Sequence, residues 1–160
     1  MERLNHFLEY CRTHRYERQT EVCSGHQRMH ELFLRDPASF GLNNLAYHQG
    51  ETYFVRDGQK LVLGASSVDS GNRLITPDAI AVSNVPHVIE LTTGSAKKKR
   101  EGLIFAGRAI SDSFGFSEVM LHFIRMRRDN SIYHASVALR RGEFIPVSGR
   151  PWQEREMALA

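Results

Sequence analysis

"SEVMLHFIRMRRDNSIYHASVALR", residues 117–140, holds two runs rich in β-branched and aromatic side chains. Between them stands Arg128-Asp129-Asn130, three residues suited to a turn. Phe123 and Tyr133 fall at alternating positions, as core residues of a strand do. The stretch predicts a hairpin with strands long enough to lie centrally in a sheet. Upstream, "DAIAV" and "HVIELTT" form a second hairpin across Ser83-Asn84-Val85-Pro86. Further back, "LAYHQGETYFVRDGQKLVLGAS" (45–66) divides into three short strands at Gln49-Gly50 and Asp57-Gly58. The Asp-Gly pair favours a tight turn because both residues accept positive φ.

Helices are expected before this sheet. Leu4, Phe7, Leu8 and Cys11 recur at helical spacing over residues 2–18. A second stripe, Met29, Leu32 and Phe33, predicts a helix from about Ser24 to Arg35, ended by Asp36-Pro37. Residues 95–114 read both ways. Leu103, Ala106, Ile110 and Phe114 make a helical stripe, yet Gly102 and Gly107 weaken a helix and "LIFAGRAI" suits a strand. The last ten residues, "PWQEREMALA", predict a short peripheral helix anchored by Trp152. The expectation is one α+β domain over 1–160: a helical part (1–36), a sheet-rich core of mainly antiparallel hairpins (44–148) and a peripheral tail (151–160).

With 41% hydrophobic and 24% charged residues, the composition is that of a globular chain. No apolar run is long enough to span a bilayer, and "MERLNHFLEYC" has no apolar leader, so an intracellular, cytoplasmic protein with no membrane partner is expected. Two cysteines are too few for a disulfide framework. The net charge of +3 is mild but clustered, in Lys97-Lys98-Lys99-Arg100 and in Arg125, Arg127 and Arg128. These seven residues are the predicted contacts for DNA or RNA; a solvated turn is the plainer reading of the lysine run.

The chemistry is suggested by "LITPDAIAVSNVPHVIELTTGSAKKK", residues 74–99. If residues 79–83 pair with 87–91, Asp78 lies opposite Thr92 and Glu90 opposite Ile80. All three side chains then point to one side of the sheet. Two carboxylates meeting there would hold Mg²⁺ or Mn²⁺ and acidify its water. Here the chain resembles the PD-(D/E)xK nuclease superfamily, in particular its Holliday-junction resolvase and phage endonuclease branches. Thr76-Pro77-Asp78 matches the Pro-Asp that begins one strand, and Ile89-Glu90-Leu91 the acidic position on the next. Gly64-Ala65-Ser66 resembles the resolvases' small-residue loop, and a basic helix after the second strand is also a feature of the family. The resemblance implies a metal-dependent endonuclease with Asp78 and Glu90 as metal ligands. The family's lysine, two residues after the acid, is Thr92 here. Lys97, Lys98 or Lys99 would have to reach in from the next element, with Lys97 and Lys98 taken as catalytic. The competing reading makes Asp78 a turn residue and Glu90 a surface residue paired with a base.

A second constellation is Cys11-x2-His14 with Cys23-x2-His26-x3-His30. Residues three and four apart share a helix face, so these five form a candidate structural zinc set, though the spacing is not that of a finger. The plainer alternative packs Cys11 as a small hydrophobe and leaves the histidines solvated. His134-Ala135-Ser136 has the His-x-Ser form of two-histidine phosphoesterases, but His87-Val-Ile and His122-Phe-Ile lack the hydroxyl. The expected function is nucleic-acid binding, with metal-dependent phosphodiester cleavage if the acid site is competent. The rival is a non-enzymatic accessory or inhibitory module whose basic surface meets an acidic protein.

Overall fold

The structure, a computed structural model, describes residues 2–13, 15–16, 29, 32–33, 35–42, 45–48, 51–52, 55–56, 59–60, 78–93 and 96–158. Helix α1 (Glu2–Thr13) is followed by strands β1 (Arg15–Tyr16), β2 (Leu45–His48), β3 (Glu51–Thr52), β4 (Val55–Arg56), β5 (Gln59–Lys60), β6 (Ala79–Val82) and β7 (Pro86–Thr92). Helix α2 (Ala96–Phe114) precedes β8 (Glu118–Met126), β9 (Ser131–Arg140) and β10 (Gln153–Ala158). The main sheet runs β10-β9-β8-β7-β6-β2. Every pairing in it is antiparallel except β7 with β8. The architecture is α+β, with a helix before the sheet. Among the described residues no helix is long and apolar enough to cross a membrane.

The expected hairpins form. β8 and β9 pair from Glu118↔Arg140 to Met126↔Ile132, and Asn130 takes φ +65° in the turn. Asp129 Oδ1 accepts bonds from the Ser131 backbone N–H and hydroxyl, which tightens that turn. β4 and β5 pair Arg56↔Gln59 and so flank Asp57-Gly58. The β6–β7 register, Ala79↔Ile89 through Val82↔Pro86, lies two residues from the expected one. Pro86 belongs to the strand rather than to the turn. Because the side-chain period is two, a two-residue slip leaves Asp78 and Glu90 on the faces expected for them.

Residues 96–114 resolve as helix, the crossover that a parallel β7–β8 pair requires. Leu103, Ala106 and Ile110 are buried against Leu121, Phe123 and Val137. Gly107 permits that approach, because a Cβ there would run into the Leu121 side chain; nothing lies near Gly102. Gly115, at φ +76°, ends the helix, and its N–H bonds Ser111 O at 2.8 Å. The tail departs from expectation. Gln153–Ala158 is an edge strand on β9, not a helix, and the preceding Trp152 is buried with Nε1 donating to Pro146 O at 2.6 Å. The unpaired edge of a ten-residue strand supplies backbone partners that a short polar helix lacks.

The sheet separates two apolar clusters. Ile80, Val88, Leu121, Phe123 and Val137 face α2 and α1, where Phe7 is fully buried and meets Phe114 and Phe116 edge-on. On the opposite face Ile89, Leu91, Ile124 and Ile132 join Met29, Phe33, Phe40 and Leu42. Met29, Leu32, Phe33 and Arg35 are helical, as the stripe over 24–35 predicts.

Candidate functional site

Asp78 immediately precedes β6 and is buried. Its N–H donates to Ile89 O at 3.1 Å, and its Oδ2 accepts the Leu91 N–H at 2.8 Å. These two bonds clasp β7 on either side of Glu90. Ile89 and Leu91 both face the Met29 cluster, so alternation turns Glu90 toward α2. There Lys99 Nζ stands 3.8 Å from Glu90 Oε1. Two residues beyond Glu90 stands a buried threonine, Thr92, paired with Arg125. Of the three lysines that open α2, all exposed, Lys99 is the one beside Glu90, not Lys97 or Lys98. Among the described residues no three His, Cys, Asp or Glu side chains are grouped to hold a metal ion.

The other predicted cations divide by environment. Arg100 is buried, at 5% exposure. Nη1 donates to Val147 O at 3.0 Å, Nη2 donates to the Tyr133 hydroxyl, and Glu154 Oε1 lies 3.9 Å away. Its guanidinium carbon lies about 5 Å from the Phe123, Tyr133 and Trp152 ring centroids, as a cation held against aromatic faces. Arg100 thus serves the core beneath β9 and β10 rather than a surface contact. Arg125 is half-buried, Arg128 is exposed, and Arg127 pairs with Glu156 at 2.6 Å above the Tyr133 ring. His14, Cys23, His26 and His30, and the side chain of Cys11, lie outside the described residues, as do Pro77 and the Gly64-Ala65-Ser66 loop.

On the opposite face the structure assembles residues the sequence left scattered. His87, His122 and His134 sit on β7, β8 and β9. His87 Nδ1 is 2.9 Å from His122 Nε2, and His122 Nδ1 is 3.0 Å from His134 Nε2. Interplanar angles are 27° and 29°, and the ring centroids lie 5.1 and 5.3 Å apart. Those separations exceed the N···N distances by about one ring width, so the imidazoles lie edge to edge, in line, rather than stacked. The chain continues to the Ser83 hydroxyl, 2.8 Å from His87 Nε2, and to Arg155, whose Nε donates to His134 Nδ1 at 3.2 Å. Burial pushes His122 down to about 3, assisted by His134, His87 and Arg155. Burial and then Arg155 push His134 down to about 4, and burial lowers His87. The three rings are therefore neutral at pH 7.

Only part of this chain had a sequence signal. The His-x-Ser reading of 134–136 lacked a second hydroxyl strand, and the structure places Ser136 directly opposite His122 across β8 and β9. One serine thus lies beside both histidines. No family model, curated protein or solved structure matches the chain.

Proposed function

We infer that the protein engages nucleic acid in the cytoplasm and cuts it with a divalent metal held between Asp78 and Glu90. The single observation behind this reading is the clasp of Asp78 onto Ile89 and Leu91, with Lys99 beside Glu90. It sets one acid at the head of a strand, the second on its neighbour and a lysine from the basic helix that follows, as in the PD-(D/E)xK resemblance. In this reading Mg²⁺ or Mn²⁺ supplies Lewis acidity and an acidified water. Asp78 and Glu90 would hold the ion, and Lys99 would orient a water or steady the phosphate charge in place of a lysine at position 92. Lys97, Lys98 and Arg128, all exposed, draw the phosphodiester backbone to this edge of the sheet.

The test is cleavage of branched and linear DNA, and of RNA, with Mg²⁺ or Mn²⁺. Wild type is expected to cut, with Glu90→Gln and Asp78→Asn at least about 100-fold slower and Lys99→Met slowed comparably. Glu90→Gln removes charge without touching the Leu91 bond, so its loss cannot be ascribed to a disturbed strand. Binding that is salt-sensitive but uncut by wild type removes the catalytic claim. No binding at all leaves the protein-interaction alternative.

A further inference from the structure

The imidazole chain ends at a cleft of about 560 Å³ on the side of the sheet away from α2, lined by Ser39, Phe40, His122, His134, Ser136 and Arg155 among others. Arg155 is exposed and, among the described residues, is held there by neutral acceptors: His134 Nδ1 at 3.2 Å and Ser39 O at 2.8 Å. None of the ion pairs of the described residues uses it. Glu154 also lines the cleft, but strand alternation sets its side chain on the α2 face, where its carboxylate accepts the Tyr133 hydroxyl at 2.5 Å. A long guanidinium lining the same cleft as a serine hydroxyl, with no carboxylate partner among the described residues, suits an incoming oxyanion.

Arginine can only donate, and that fixes every proton along the chain. His134 Nδ1 must accept, so His134 Nε2 carries the hydrogen and donates to His122 Nδ1. His122 Nε2 then donates to His87 Nδ1, and His87 Nε2 donates to Ser83, which is exposed. The line is polarised in one direction over four strands and closed at the cleft by a residue that cannot give up its proton.

We propose that the cleft is a second site, taking a phosphate group with an acidic O–H on Arg155 and Ser136 and exporting that proton through His134, His122 and His87. When the phosphate draws Arg155 away, His134 Nδ1 becomes an open acceptor. The phosphate O–H bond breaks and an N–H forms at His134 Nδ1. His134 passes its Nε2 proton to His122 Nδ1, and His122 passes its own to His87 Nδ1. His87 releases its Nε2 proton through Ser83 Oγ to solvent. One proton enters, one leaves, and all three rings end neutral in the other tautomer. Phe40 meets His134 edge-on, with centroids 5.7 Å apart, and adds no charge beside this end of the chain. The inference does not depend on Asp78, Glu90 or metal.

The experiment is ¹⁵N-histidine NMR of the full chain titrated with inorganic phosphate and, separately, with adenosine monophosphate. In the free protein all three rings should carry hydrogen on Nε2, with couplings across both N–H···N bonds. Phosphate should saturably shift His134 and move the His87 proton from Nε2 to Nδ1. Arg155→Gln, at an exposed position, should weaken that response by about tenfold or more. His122→Gln should keep phosphate binding but uncouple His87; His87→Gln, read at His122, replaces it if the buried change unfolds the protein. A tighter response to one probe identifies free phosphate or its monoester as the ligand. The proposal falls if millimolar phosphate leaves His134 unmoved, if Arg155→Gln responds like wild type, or if His134 shifts while His87 does not.

Discussion

The two faces of the central sheet satisfy polar groups by opposite means. On the α2 face charge meets charge or aromatic faces: Lys99 with Glu90, Arg127 with Glu156, and Arg100 among three rings. On the other face three titratable rings are kept uncharged, each satisfying the next. A buried ion needs a fixed partner close by, whereas a buried neutral imidazole needs only one donor and one acceptor. The first face should therefore respond to salt and to loss of a partner, and the second to acid.

The largest expected effect comes from breaking the first arrangement at its centre. Arg100→Ala removes a buried cation together with its bonds to Val147 O and Tyr133, and should cost about 3 kcal/mol in urea unfolding. Lys97→Ala and Lys98→Ala, three and two residues away in sequence, should leave the unfolding midpoint unchanged. An Arg100 variant as stable as wild type would show that the aromatic cage does not matter.

The second face is sharpened by pH. His122 and His134 have folded values of about 3 and 4 against an unfolded 6.5, so the unfolded chain takes up protons first as pH falls. Stability should be full well above pH 6.5 and drop by about 2 to 3 kcal/mol for each of these two histidines between pH 6.5 and 4. His122→Gln should flatten that slope, followed by urea titrations at each pH. An unchanged slope would mean the acid sensitivity lies elsewhere.

Packing of α2 onto the first face predicts a smaller, paired effect. Gly107→Ala forces a methyl into Leu121 and should destabilise by about 1 to 3 kcal/mol. Gly102→Ala meets nothing and should stabilise the helix by roughly 0.5 to 1 kcal/mol. Thermal melts of the two variants should move in opposite directions. The smallest effect is expected at the exposed Arg127–Glu156 pair, where Arg127→Ala should barely shift the melting temperature and high salt should abolish whatever shift there is.

Local periodicity and turn chemistry determined much of this molecule. The alternation in 117–140 and the Asp129-Asn130 turn define the central hairpin, and the apolar spacing of Leu4 and Phe7 defines α1. The Pro-Asp and the following glutamate mark adjacent strands whatever their exact register, because a slip of two residues preserves the face. Other features had no local signal. Gly102 and Gly107 look alike until Leu121 is packed over one of them. Lys97 to Arg100 form a uniform basic run until the helix turn buries the fourth residue and brings the third to Glu90. The tail has no strand pattern of its own and was drawn into the sheet by the open edge of β9. His87, His122, His134 and Arg155 lie far apart along the chain and belong to four different strands. Only the order of those strands, set by burying apolar side chains on both faces at once, brings the rings into line.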